Sequence, residues 1–178
     1  DHVPLRWDPG PRTLRGHVAR ANPLWREAQD AGPEGLPVLA IFRAEQAYIS
    51  PNWYPGKAAT HQAVPTWNYA VAHAHGRLRA IDDAGWLRSL LAELTAQHEQ
   101  RQPKPWSMAE APEDYLGRMV AAVVGIEITV ERLDGKAKLS QNRPAADREA
   151  VVLGLRADGA PGAEAMADRV ASPRRADG

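Results

Sequence analysis

Residues 63–81, AVPTWNYAVAHAHGRLRAI, carry the clearest β-strand pattern in the sequence. The side chains of a β-strand alternate between two faces, so a period of two assigns every second residue to one side. Bulky side chains such as Trp67 and His73 fall on one face, and small ones such as Asn68 and Ala74 fall on the other. We expect a long strand whose bare face a second sheet, a partner subunit or a planar ligand can approach closely.

Shorter apolar or alternating segments on both sides of this strand predict the rest of an antiparallel sheet. Residues 8–11 and the pair Asp134-Gly135 are turn signals, because proline fixes φ and glycine accepts positive φ. We therefore expect one hairpin near the N-terminus, one before the long strand and one around residue 134. The predicted strands cover residues 3–7, 13–19, 37–43, 47–50, 126–130 and 136–139.

Capping residues and apolar periodicity predict helices between the strands. Helix starts are expected at Asn22-Pro23, at Asp82 or Asp83, at Pro112, and at Asn142-Pro144. Strands come first and last with helices inserted, which favours an α+β fold, an antiparallel barrel with flanking helices. One domain is expected over residues 1–156. A weakly structured C-terminal tail is expected over 157–178, in which residues 163–170 can form a weak helix.

The composition limits the classes of function that the chain can have. Lys and Arg number 22 and Asp and Glu number 22, so the formal net charge is zero and the basic surplus of a duplex-DNA binder is missing. The chain contains no cysteine, which excludes disulfides, thiolate metal sites and a cysteine nucleophile. No segment reads as a membrane span or a signal peptide, so a cytoplasmic protein is expected.

Local motifs for catalysis or metal binding are weak. The sequence contains no nucleophile elbow, no P-loop and no dinucleotide-binding glycine pattern after a strand. His73 and His75 share a strand face and could chelate a metal, but partly exposed strand histidines are the simpler interpretation, and no metal is expected. No single side chain is an evident general acid or base, so the sequence leaves open whether the chain is an enzyme.

Three other groups of residues have both a binding and a structural interpretation. Arg20 and Asn22 stand where a strand gives way to a helix, which suits a phosphate but also an ordinary capped helix. Aromatic and amide side chains at residues 53–54 and 67–69 could stack on a planar ligand, or could form a core or a dimer interface. Basic and polar residues at 136–148 could form a binding patch or simply a solvated face.

Several of these segments, in this order, resemble the PaiB family of FMN-binding negative transcriptional regulators. The matching stretches are residues 16–23, 48–54, 64–69, 75–78, 125–128 and 138–143. Their order and spacing agree from about residue 1 to residue 155. Family members usually begin with a helix and a strand before the segment that matches residues 1–4, so these N-terminal elements are expected to be missing from this sequence.

The resemblance implies an FMN-binding split barrel, a flavoprotein that forms a homodimer with FMN near the subunit interface. In related split barrels the corner between a strand and a helix holds the FMN phosphate, and the matching residues here are Ala19, Arg20 and Asn22. The residues that the resemblance places near the flavin ring are Ser50, Trp53, Thr66, Trp67 and Asn68.

The sequence is compatible with three functions. The family name implies a repressor in transcription regulation, although the neutral charge does not support direct DNA binding. The alternative is an FMN-dependent oxidoreductase or flavin reductase of the split-barrel type, since a bound flavin carries redox chemistry itself. The third is a non-catalytic binding module that has lost its cofactor.

Overall fold

The computed structural model describes residues 1–172, which form five strands and six α-helices. The strands lie in one sheet in the order β1-β2-β5-β4-β3, and β2 pairs antiparallel with both β1 and β5. The strands are β1 (Arg6–Asp8), β2 (Thr13–Ala19), β3 (Leu36–Ile49), β4 (Thr66–Ile81) and β5 (Val123–Lys138). The predicted α+β fold with an antiparallel sheet and helices outside it is confirmed.

The helices begin close to the predicted capping residues. Asp83 caps α3, because its Oδ1 accepts a hydrogen bond of 2.7 Å from the backbone N–H of Trp86. The helices are α1 (Leu24–Asp30), α2 (Lys57–Thr60), α3 (Ala84–Glu99), α4 (Glu113–Ala121), α5 (Ala145–Asp158) and α6 (Ala163–Ala171), with 3₁₀ turns at Pro51–Trp53 and Met108–Glu110. Among residues 1–172, no helix is both long and apolar enough to cross a bilayer.

Two of the predicted hairpins are wrong, because each pair of short strands is one long strand. Residues 37–50 lie almost entirely in β3, and β5 continues through Asp134-Gly135 without a turn. A two-residue hairpin turn of the Asp-Gly type needs positive φ at both central residues. Neither Asp134 nor Gly135 has positive φ, so the backbone stays extended there. Pairing along the sheet outweighs the local turn propensity.

The chain divides into two compact units, each built from two separate stretches. The first unit comprises residues 1–40 and 74–133. Its core contains Leu14, Leu78 and Ile126. The bare face of β4 is buried in this unit: a Cβ on Gly76 would overlap the Thr129 carbonyl oxygen. Over residues 74–78, this face is thus covered by β5 of the chain's own sheet.

The second unit comprises residues 41–73 and the chain from residue 134 onward. Its core joins β3 and the 3₁₀ turn region to α5 and α6, and the members of this core are Ala47, Ile49, Tyr54, Leu139, Val151, Leu155, Ala163, Met166, Ala167 and Val170. Residues 163–170, expected to form a weak helix within the predicted tail, lie in α6 and pack into this core. Apolar residues at positions 163, 166, 167 and 170 share one helical face, and this face is buried. Residues 173–178 of the predicted tail lie outside the described residues.

Candidate functional site

The eight residues predicted to bind FMN fall into both units. Ala19, Arg20 and Asn22 belong to the first unit, and the five residues between Ser50 and Asn68 belong to the second. Among residues 1–172, no cluster of three or more His, Asp or Glu side chains could hold a metal ion.

Arg20 is occupied by partners within the first unit. Its guanidinium donates two hydrogen bonds to Asp82, of 2.8 and 2.6 Å, in a forked pair. Its Nε donates to the Ala121 carbonyl at 2.8 Å, and Nη2 also lies 3.2 Å from the Val123 carbonyl. The pair raises the pKa of Arg20 and lowers the pKa of Asp82, chiefly through these hydrogen bonds. Arg20 thus ties the end of β2 to the segments before α3 and after α4.

Asn22 and Ala19 form the turn between β2 and α1. Asn22 accepts a hydrogen bond of 2.9 Å from the Leu24 N–H through its side-chain oxygen. Its backbone N–H donates to the Ala19 carbonyl at 2.8 Å, and its side-chain amide donates to Asp1 at 3.2 Å. The donors that suggested a phosphate site at this corner are used in local bonds. The structural interpretation of the corner is therefore favoured, and phosphate binding by these three residues stays a prediction.

Thr66 and Asn68 lie on the same side of β4, and each contacts a side chain from the end of β5 or just beyond it. Thr66 Oγ1 contacts the Lys138 ammonium. The Asn68 side-chain amide donates a 3.0 Å hydrogen bond to Ser140 Oγ, and both residues are buried. We call these four residues, Thr66, Asn68, Lys138 and Ser140, the β4 polar patch. The structure brings two predicted site residues together there.

Ser140 owes its place in the β4 polar patch to a tight turn after β5. Its φ is 58°, in the left-handed region that non-glycine residues rarely adopt. The turn is held by bonds on both sides: Arg143 N–H donates to the Ser140 carbonyl at 3.0 Å, and Leu139 N–H donates to the Gln141 side chain at 2.7 Å. The turn brings the Ser140 hydroxyl against Asn68.

Ser50 and Trp53 have structural contacts in the second unit. Ser50 Oγ accepts a hydrogen bond of 3.2 Å from the Asn52 N–H and so caps the 3₁₀ turn. The Trp53 indole lies directly against Gly154 of α5.

Trp67 lies on the opposite side of β4 from Thr66 and Asn68. Trp67 is 54% exposed, and its ring meets the Tyr48 ring edge-on, with the centroids 6.2 Å apart. The two residues predicted to contact a planar ligand therefore have different surroundings. Asn68 is buried in a hydrogen-bonded pair, whereas Trp67 offers an open aromatic surface.

Lys138 and Ser140 are residues that the site prediction missed. Both lie in the 138–143 stretch of the family resemblance, and Lys138 also lies in the basic segment for which a solvated face was the simpler interpretation. Nothing in the local pattern shows that Lys138 contacts Thr66, which is 72 residues away. The family resemblance of residues 138–143 is the one sequence signal that points to these two residues as part of the site.

The donor chemistry of the β4 polar patch fits an FMN phosphate. A phosphate group only accepts hydrogen bonds at its charged oxygens, so it needs cations and hydroxyl or amide donors. Lys138 supplies an ammonium and Thr66 a hydroxyl. Arg20 fits this group poorly, because Asp82 already fills its guanidinium fork.

Comparisons with known proteins agree with the predicted family. Residues 1–132 match the model of a family described as "Putative FMN-binding domain". The protein AN0679 of Emericella nidulans is 36% identical over 164 residues, which is 80% of this chain and 65% of the relative. The protein AFUA_5G13800 of Aspergillus fumigatus is 32% identical over 173 residues, 82% of this chain and 66% of the relative.

A bacterial relative has a descriptive name. The protease synthase and sporulation protein PAI 2 of Bacillus subtilis is 30% identical over 155 residues, which is 87% of this chain and 70% of that protein. The chain spans slightly less than two thirds of the length of the two fungal relatives. The predicted resemblance and the predicted cofactor, FMN, are confirmed at the level of the family, and the chain belongs to the family of this FMN-binding domain.

Proposed function

We propose that this chain is an FMN-binding negative transcriptional regulator of the PaiB type, which holds FMN through the second unit. The observation that carries the proposal is the β4 polar patch, a set of hydroxyl, amide and ammonium donors inside a chain of the FMN-binding family. The name of the Bacillus subtilis relative, which refers to protease synthesis and sporulation, supports a regulatory role. When bound, FMN would supply electron-transfer chemistry of its own.

We propose that regulation does not depend on direct binding to duplex DNA. The net charge is zero. Several arginines of the first unit are already paired with carboxylates: Arg15 with Glu93 at 2.9 Å, and Arg88 with Glu113 at 2.6 Å. Because phosphate contacts supply most non-specific affinity for DNA, a neutral chain with paired arginines should bind duplex weakly. A partner protein or a flavin-linked signal would then carry the regulation.

We further propose a cytoplasmic homodimer. Large apolar side chains of the second unit stand open to solvent, notably Tyr48, Val64 and Trp67. Exposed aromatic and apolar groups of this kind are typical of protein interfaces.

The test is the visible absorption spectrum of the purified protein after FMN addition and gel filtration. Retained flavin bands, near one FMN per chain and eluting at the dimer position, are expected. A colourless protein at saturating FMN would remove the cofactor from the proposal. A gel shift with a candidate promoter at moderate salt should show no complex at micromolar protein; a specific complex would overturn the indirect mode of regulation.

Reduction by NADH or NADPH separates the regulator from the oxidoreductase alternative. Under anaerobic conditions the flavin of a regulator should stay oxidised after NADH or NADPH is added. Rapid bleaching of the flavin band would instead identify a flavin reductase.

A further inference from the structure

Among the described residues, Lys138 has one hydrogen bond, to the Thr66 hydroxyl, and no ion pair. We propose that Lys138 and Thr66 bind the phosphate group of FMN, in place of the corner around Arg20. The inference rests on the proposed function, since it names the phosphate ligands of the same FMN site.

The hydrogen-bonding capacity of the pair matches a phosphate. The Lys138 ammonium has three donors, and the Thr66 oxygen can accept one of them. Among the described residues, the remaining ammonium N–H groups and the Thr66 O–H have no further hydrogen bond, so they can donate to a ligand. Both side chains thus offer donors from adjacent strands to one acceptor-only group.

The charge balance of Lys138 also differs from that of Arg20. Arg20 is neutralised by Asp82 in a forked ion pair, whereas no carboxylate among residues 1–172 pairs with Lys138. A phosphate monoester carries a charge of about −1.5 to −2 at pH 7, so it would supply the missing counter-charge. Binding at Arg20 would first require the ion pair with Asp82 to break.

The neighbouring buried pair fixes the position of these donors. Asn68 follows Thr66 by two residues on the same side of β4, and Ser140 follows Lys138 by two residues. The 3.0 Å hydrogen bond between Asn68 and Ser140 is fully buried, so it joins the two chain segments firmly at this point. Donors held in place before a ligand arrives lose less conformational entropy on binding.

The experiment compares FMN with riboflavin, which differs from it by lacking the phosphate. Flavin fluorescence titrations give Kd for both ligands with the full chain and its variants Lys138→Gln, Lys138→Arg and Thr66→Val. We expect Lys138→Gln to raise the Kd for FMN about tenfold or more, because a charge-assisted hydrogen bond is lost. The Kd for riboflavin should stay unchanged. Lys138→Arg should keep most of the preference for FMN, and Thr66→Val should lose part of it.

Arg20→Gln is the matched control, because it removes a cation from the competing phosphate site. We expect it to lower the thermal stability and to leave the FMN-to-riboflavin ratio of Kd values unchanged. A Lys138→Gln variant with the wild-type ratio would overturn the inference alone, as would an Arg20→Gln variant that loses the preference for FMN. A wild-type chain that binds neither flavin would overturn the proposed function as well. Circular dichroism of each variant verifies that it is folded.

Discussion

At the scale of single residues, Gly154 is the position where α5 makes room for Trp53. A Cβ at Gly154 would lie within 2.6 Å of the indole atoms Cγ and Cε2, closer than real side chains approach each other. Glycine in a helix interior normally costs about 1 kcal/mol relative to alanine. Its presence in α5 therefore has a packing reason, and Trp53, predicted to lie near the flavin ring, serves the core of the second unit.

Gly154→Ala should destabilise the protein by about 1–3 kcal/mol, since overpacking outweighs the gain in helix propensity. The control is Gly117→Ala in α4, where a Cβ would meet no atom within 4 Å. That change should stabilise by about 0.5–1 kcal/mol. Urea unfolding measures both. Equal effects of the two substitutions would show that the indole does not constrain Gly154.

His17 is a second residue whose surroundings matter, because burial changes the pKa of its imidazole. Its Nδ1 is buried and has no hydrogen-bond partner among residues 1–172, and burial lowers the pKa of the imidazole below its ordinary value. The unfolded chain, with an ordinary histidine pKa of about 6.5, then binds a proton more readily than the folded chain. The stability tied to His17 is fully present above pH 6.5 and is lost as the pH falls through the lower, folded-state pKa.

The free energy of unfolding should therefore decrease from pH 7.5 to pH 5.5, and His17→Leu should reduce this decrease. His2→Gln, at an exposed position, serves as the control and should keep the wild-type profile. Urea unfolding at the two pH values measures the effect. If His17→Leu retains the full decrease, the pH dependence comes from other groups.

Among the helices, α6 shows how packing stabilises a helix that the sequence predicts only as a weak one. Its 9 residues include good helix formers such as alanine, but a helix of this length is marginal in isolation. In the structure its apolar face packs against α5 and the core of the second unit, with Met166 fully buried. Marginal helices are stabilised mainly by such tertiary packing, which a local pattern does not show.

Met166→Ala should cost about 2–5 kcal/mol, the range for deleting a large buried side chain. Leu153→Ala on α5 is the control, because Leu153 is 68% exposed. It should change stability by no more than about 0.5 kcal/mol. Thermal unfolding followed by far-UV circular dichroism compares the two variants. A small effect of Met166→Ala would mean that α6 is not part of the core.

In the whole molecule, the family match ends before the part of the chain that completes the core of the second unit. The family model covers residues 1–132, whereas the core of the second unit takes most of its members from residues after 138. Lys138 and Ser140 of the β4 polar patch also lie beyond the match. Ile49 and Tyr54 belong to this core, so they are packed together with residues from the later part of the chain.

A fragment of residues 1–132 should therefore fail to fold in its second unit and should not bind FMN. Exposure of Ile49 and Tyr54 should cause aggregation or binding of a hydrophobic dye, whereas the full chain should show neither. Gel filtration, dye fluorescence and FMN titration measure these outcomes. Wild-type FMN affinity in the shorter fragment would place the site within the first 132 residues.

Local patterns in the sequence determined the features that depend on neighbouring residues. The alternation along residues 63–81 specified β4, Asp83 specified the start of α3, and the order of segments specified the family and its cofactor. These predictions hold because periodicity and capping act over a few residues.

Only the tertiary structure decided which polar groups are free to bind and which are already paired. Arg20 appeared available in the sequence, but Asp82, 62 residues later, fills its guanidinium fork. Lys138 appeared to be an ordinary surface lysine, but Thr66, 72 residues earlier, is its partner. The reason is physical: the strength and availability of a charged group depend on its neighbours in space, and chain folding, not sequence spacing, brings those neighbours together.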